Sequence, residues 1–310
     1  MEAHAAHPSS APRAARLRLP GVGAGLGRGL VVLYLSVLVL LPLAALAEKS
    51  LSEGLDSFWT QVSAPAAVNA LELTVGASLI VVIINGFFGT ILAWLLVRDN
   101  FPGKGVVNAV IDLPFALPTI VASLILIELW GKHSPFGIDF ALTRTAVVVA
   151  LMFVTLPFVV RAVQPLLIEM DRDMEEAAAS LGAGGFTIFR KIIFPNLLPG
   201  LAAGIALAFA RALGEFGSVL LFAGGLADTK VSSVYISQLI ETGNAQGAAA
   251  VSVVLLVCSL LCLVLVSLIQ RWSSRHERSS GLTTMPMSGF DPGVSSVSSK
   301  HHDEEGDERE

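Results

Sequence analysis

Arg211 and Glu215 stand four residues apart inside an apolar stretch. Opposite charges at that spacing lie one above the other on a helix face. Ionisable side chains in hydrocarbon are rare, face inward and carry function by default. Two readings stay open for this pair. It locks helix packing by neutralising itself, or Arg211 faces a pathway and offers an attractive charge to an anion, with Glu215 keeping that anion from being held too tightly for release. Asp112, Glu128 and Arg161 are further charges in apolar surroundings. Arg161 lies about eight residues from the nearer helix end and could reach back to the interface. Glu72 and Glu128 fall near helix ends, where they would meet water.

Other chemistries find no support in the residue pattern. No Gly-x-x-x-x-Gly-Lys-[Ser/Thr] occurs, so the chain lacks the loop that cradles ATP phosphates. Cys258 and Cys262 sit four apart in an apolar run and read as packing residues. His4 with His7, and His301 with His302, have no partners at metal-ligand spacing and read as surface pairs. No histidine or carboxylate pair recurs at one membrane depth, which speaks against a membrane-embedded enzyme. The expectation is no catalytic, cofactor-binding or metal-ligating residue in this chain.

The sharpest local feature is the segment 169–196, which begins Glu169-Met-Asp-Arg-Asp-Met-Glu-Glu-Ala-Ala-Ala-Ser-Leu-Gly182. Acids in its opening turns complement a helix dipole, and Ala177, Ala178 and Leu181 make a small apolar face. Gly182 ends that helix, with Gly184 and Gly185 behind it. A second short helix is expected from about Thr187, with Phe186, Phe189 and Ile193 on one side. Pro195 would stop it, and Pro199 would open the next long helix. Small residues permit close approach of another surface, and the carboxylates can pair with basic groups there.

The elements that position these residues follow from composition. Of 310 residues, 54% are hydrophobic and only 15% charged, too few charges to coat a soluble domain. A bilayer core of about 30 Å needs about 20 apolar residues in a helix. Six segments qualify, at about 29–47, 72–97, 106–130, 146–168, 199–223 and 250–271. Backbone polar groups must be satisfied within lipid, so the six are expected as helices in an all-α integral membrane bundle.

Fourteen lysines and arginines fall at the two ends and in the second and fourth loops, against four (Lys49, Lys132, Arg144 and Lys230) on the other side. This places both termini in the cytoplasm of a multi-pass membrane protein. The net charge of −5 is concentrated in residues 273–310, which hold eight acids and four bases, while 1–272 hold 17 acids and 16 bases. Three regions are expected: a basic arm 1–28, a membrane domain 29–272 and an acidic tail 273–310, both ends being flexible. Nothing here favours nucleic acid. The first span is expected to be retained as a helix, although Ala45-Leu46-Ala47 after a basic and apolar run mimics a cleaved signal.

Pro114 and Pro118 fall in the third span and Pro157 and Pro165 in the fourth. Each removes an intrahelical bond, giving either a packing kink or a broken helix beside a pathway. The segment Val231–Ile240, in an outer loop, reads as a short surface helix. It could meet an external protein or form a lid over the bundle.

At the fourth loop the chain resembles the permease subunits of ABC importers. The hallmark Glu-Ala-Ala, three residues, Gly, nine residues, Ile, one residue, Leu-Pro is matched by Glu176, Ala177, Ala178, Gly182, Ile192 and Pro195, with Phe194 standing for the leucine. Asp112–Ala122, Leu156–Pro165 and Ala210–Ser218 are similar to the sulfate/thiosulfate branch, and within it to the T-type subunit. The resemblance covers about 30–272. It implies a six-helix permease bundle of type I with cytoplasmic coupling helices, the helix before Gly182 seating in a cleft of an ATP-hydrolysing subunit. It further implies a second, W-type permease chain, an ABC ATPase dimer that binds the ATP and magnesium, and an external sulfate-binding protein. Molybdate and tungstate permeases share the Arg211–Gly217 element, so that piece leaves the oxyanion open.

Overall fold

The computed structural model describes the backbone of residues 22–280 and the side chains of 27–268. Every regular element among the described residues is helical. The histidine pairs at either end and most of the expected arm and tail lie outside these residues. Residues 22–28 and 273–280, placed by sequence in the arm and tail, are helical.

The first rod is α1 (Val22–Leu35), a π turn (Ser36–Leu40) and α2 (Leu41–Leu51). Its portion Gly27–Leu51 is long and apolar enough to cross a membrane, yet none of its most apolar window is buried by the rest of the chain. A short helix that periodicity did not announce, α3 (Leu55–Val62), follows. Then comes α4 (Pro65–Arg98), 34 residues without a break, about 50 Å of helix. Pro65 stands in its first turn, where a backbone N–H is not needed.

The third expected span is two half-helices, α5 (Lys104–Ala116) and α6 (Thr119–Trp130). Leu117 between them is extended, at φ −87° and ψ 135°, because the ring of Pro118 disfavours a helical residue before it. Pro114 lies within α5 and does not break it. At 13 and 12 residues, neither half crosses about 30 Å alone. The fourth span, α7 (Arg144–Glu169), behaves differently: Pro157 and Pro165 sit inside one continuous helix. Packing by α4 and α10 on either side holds α7 together, with Val159, Val160 and Val163 fully buried.

After α7 come α8 (Arg172–Ser180), α9 (Gly185–Ile188), a second π turn (Phe189–Ile193) and α10 (Phe194–Leu213). The expectation that Pro195 ends a short helix fails. Gly185–Leu213 runs on as one membrane-length helix, with Pro199 inside α10. Both π turns precede a helix whose second residue is proline, Pro42 or Pro195. Proline has no N–H to give and its ring crowds the carbonyl four residues back; a widened turn absorbs both defects without stopping the helix. The fifth expected span breaks later instead, at Gly214–Phe216, before α11 (Gly217–Phe222). The remaining helices are α12 (Ser232–Glu241) and α13 (Ala245–Ser280).

The bundle through Gln270 is one compact unit, and Arg271–Glu310 is a second, described only to the helix end at Ser280. Two apolar clusters build the bundle core. One, with Leu96, Val160, Leu167, Ile193 and Leu197, lies at the end that carries residues 169–196. The other, with Val81, Leu151, Val219 and Phe222, fills the opposite half. Glycine lets the helices close: a Cβ at Gly204 on α10 would come within 2.8 Å of the Ala162 side chain on α7.

Candidate functional site

Helix α8 is built by local rules. The Asp171 carboxylate accepts the Asp173 N–H at 2.9 Å, an N-cap, and Asp173 and Glu175 lie in the first turn. At the other end Gly182 adopts φ +84°. The Gly182 N–H donates to the Ala179 carbonyl at 2.9 Å, and the Ala183 N–H to that of Ala178 at 3.0 Å. This pairing is a Schellman closure, and the left-handed residue it demands explains Gly182.

The two sides of α8 differ. Ala178, with Ala183 beyond the helix, packs on the apolar core. Met174, Ala177 and Leu181, at spacings of three and four, face outward with Glu176, and Leu181 is 89% exposed. The expected face of Ala177, Ala178 and Leu181 is thus split between inside and outside. Phe186 also points outward, whereas Ile188 and Ile193 are buried and Ile192 packs on the core. Phe186 and Ile193 therefore do not share a side, because the π turn rotates the helix between them.

One contact here was missed by sequence reasoning, which used Arg98 only as a marker of orientation. The Arg98 guanidinium, at the end of α4, donates to the Glu175 carboxylate on α8. Arg98 also lies over the Trp94 ring, 5.4 Å from its centroid, and Trp94 meets Phe189 edge-on at 6.1 Å.

Arg211 and Glu215 do pair, at 2.5 Å, but not on one helix face as expected. Arg211 is in the last turn of α10, whereas Glu215 lies in the break that follows Leu213. The carboxylate is buried, 1% exposed against 31% for the Arg211 side chain. Glu215 Oε1 accepts the Ser218 N–H at 2.9 Å, so it also caps α11. The Glu215 carbonyl accepts from the Ser233 hydroxyl of α12 at 2.5 Å. Helix α12 forms within one residue of its expected place, with Ser232 and Val234 buried and the rest half-buried or exposed. Thr74 of α4 accepts the Ser232 N–H at 2.7 Å and donates to its hydroxyl at 3.0 Å.

Arg161 makes a different set of contacts. Its Nε donates to Asp112 at 2.8 Å and a terminal nitrogen completes a two-pronged ion pair. The other terminal nitrogen donates to Asn108 at 2.9 Å and Gln164 at 2.5 Å. Reach toward water is unnecessary, because acceptors surround it. Glu128, near the end of α6, and Glu72 are exposed, but α4 starts at Pro65, so Glu72 lies about two turns inside its helix and not at the expected end. Among the described residues no cluster of histidine, cysteine, aspartate or glutamate could hold a metal ion.

A membrane bundle with two interrupted spans and a capped, outward-facing helix in its long loop is the architecture of a transporter's membrane component. The pattern of one family, the binding-protein-dependent transport system inner membrane component, matches residues 85–279. The chain belongs to that family, and is a multi-pass membrane permease subunit.

Particular relatives are closer still. The chain is 42% identical over 253 residues to the sulfate transport system permease protein CysT of Synechocystis sp., covering 79% of this chain and 88% of that one. It is 40% identical over 260 residues to the protein of the same name from Salmonella typhimurium, covering 81% and 93%. Among solved structures it is similar to a bacterial alginate ABC transporter in complex with an alginate pentasaccharide-bound periplasmic protein. The TM-score is 0.68 at 16% identity, over 81% of this chain and 93% of that one. That likeness is one of fold.

Proposed function

We propose that this chain is the translocating subunit of an ATP-driven importer that carries sulfate across the cytoplasmic membrane. The observation that carries the reading is 42% identity extending over 88% of a sulfate permease. The same relation disfavours the molybdate alternative, which rested on the short Arg211–Gly217 element alone. Thiosulfate, a dianion of similar size, belongs to the same proposal.

Energy comes from a partner, since the sequence has no phosphate-cradling motif. A cytoplasmic ABC ATPase dimer holds ATP and magnesium and receives α8. Glu176, Ala177, Ala178, Gly182, Ile192 and Pro195 form its coupling loop. The outward stripe of Met174, Ala177 and Leu181 supports this, being apolar, small at its centre and rimmed by acids. A second permease of the W type completes the path. Support for such a neighbour comes from the first span, whose most apolar window is left unburied by the rest of the chain. An extracytoplasmic binding protein delivers the anion, and both termini lie in the cytoplasm, as the lysine and arginine asymmetry requires.

In the pathway, Arg211 offers the attracting charge and Glu215 the counter-charge that limits residence. Arg161 is the weaker member, since Asp112, Asn108 and Gln164 already engage its guanidinium. Transport proceeds by alternating access, the α5–α6 and α10–α11 breaks supplying joints. The test is uptake of radiolabelled sulfate and molybdate by a strain lacking its own sulfate permease and supplied with this chain and its partners. Restored sulfate uptake is expected; restoration of molybdate uptake alone would overturn the proposal.

A further inference from the structure

Helix α8 would be pushed by an ATPase, but a push does nothing unless the bundle receives it. Neither flank of α8 is continuous helix. Met170 and Asp171 precede it in extended backbone, and Gly182, Gly184 and Gly185 follow it. Beside the apolar packing of Ala178, a charged side-chain tie joins α8 to a membrane helix, the ion pair of Glu175 with Arg98. Arg98 is 9% exposed and Glu175 21%, so the pair is shielded from the screening that weakens surface pairs. Trp94, one turn back on α4, backs the guanidinium by its ring face and touches Phe189 beyond the glycine joint. A planar guanidinium held by a carboxylate and an aromatic ring is directional, unlike a lysine contact.

Arg98 ends a long helix that runs from side to side with no proline in its interior and no break. Helix α4 is unbroken from Pro65 to Arg98. Near its other end Thr74 is fixed to Ser232 of α12 by hydrogen bonds of 2.7 and 3.0 Å. The next residue, Ser233, holds the Glu215 carbonyl in the α10–α11 break. Arg98 and Thr74 are 24 residues apart on one helix, about 36 Å along its axis.

We propose that Arg98 is the positioning residue through which α8 grips the bundle. The Arg98–Glu175 pair turns a displacement of α8 into a displacement of α4, and α4 carries it to Thr74, Ser232 and the break that holds Glu215. The proposal rests on the importer reading above. It adds to it a transmission path inside this chain, distinct from the surface that meets the ATPase.

The experiment measures sulfate transported per ATP hydrolysed by the full complex in proteoliposomes, for the unaltered chain, Arg98→Gln, Arg98→Lys, Arg98→Glu, and the exchange Arg98→Glu with Glu175→Arg. The unaltered complex is the control: if it hydrolyses ATP but moves no sulfate, the importer reading itself fails. Given a working control, Arg98→Gln is expected to co-purify with the ATPase and hydrolyse ATP while losing roughly 3- to 30-fold in sulfate per ATP, the range of mutational effects on coupling. Arg98→Lys should recover part of the loss, and the exchanged pair should recover more than Arg98→Glu alone. An Arg98→Gln complex with unchanged sulfate per ATP would overturn the proposal. So would loss of ATPase co-purification with no recovery in the exchanged pair, which would mark Arg98 as merely structural.

Discussion

Gly217, the first residue of α11, rests directly on Thr119, the first residue of α6, so closely that a methyl group added at Gly217 would overlap the Thr119 side chain. The Ser123 hydroxyl, one turn into α6, donates to the Gly217 carbonyl at 2.6 Å. The two interrupted spans therefore meet at their restart points, and the breaks at Leu117-Pro118 and Gly214–Phe216 belong to one joint.

Gly217→Ala should force that joint apart. Overpacking of this kind costs about 1–3 kcal/mol, and the half-helices cannot both keep their places. The expected result is a lower melting temperature of the purified complex together with reduced sulfate uptake. An unchanged melting temperature would show that the contact yields without cost.

Glu215 has two duties that substitutions can separate. Glu215→Ala leaves the Ser218 N–H of α11 without its acceptor, at a cost of about 1–3 kcal/mol for a buried donor, and should lower thermal stability. Glu215→Gln keeps an oxygen for that N–H and removes only the charge opposing the anion. It should fold better than the alanine variant, with a lower half-saturating sulfate concentration and a lower maximal rate. Uptake kinetics on both variants check this.

Arg211→Gln removes the attracting charge and leaves Glu215 alone in the break. Attractive charge in a cleft raises local anion encounter by about 10- to 1000-fold, so sulfate uptake should fall at least about tenfold. The measurement requires that membrane level and ATPase association match the unaltered chain. Unchanged uptake would remove Arg211 from the pathway and leave the pair as a packing lock.

Orientation is open to a direct test at Leu181, 89% exposed at the end of α8. With Cys258 and Cys262 replaced, Leu181→Cys should react with a membrane-impermeant maleimide in inside-out vesicles and resist it in intact cells. Added ATPase should slow the reaction. Labelling in intact cells would invert the topology.

Five of the six expected spans were legible because about 20 apolar residues in a row have few other fates, while the third is two half-helices, each too short to cross alone. The α8 helix and its glycine end were legible because capping is local. How each proline would act was not. Pro118 breaks its span, yet Pro157 and Pro165 sit in a continuous helix, because proline only penalises the helix locally while α4 and α10 pack α7 along its length. Pro195 reads as a stop signal in sequence and is instead absorbed by a π turn, a conformation with no composition of its own. Arg211 and Glu215 were read as helix neighbours from spacing alone, and Gly214 moved one of them into a break. Arg98 and Glu175 are 77 positions apart, and no local pattern could bring them together.

The central claim is that this chain passes sulfate only when α8 is engaged by an ATPase. ATP-driven uptake of radiolabelled sulfate into proteoliposomes, by the complete complex and by one lacking residues 175–182, tests it most directly. The account predicts ATP-dependent accumulation by the first, with loss of ATPase association and of uptake in the second. Undiminished sulfate accumulation by the complex lacking 175–182 would contradict it.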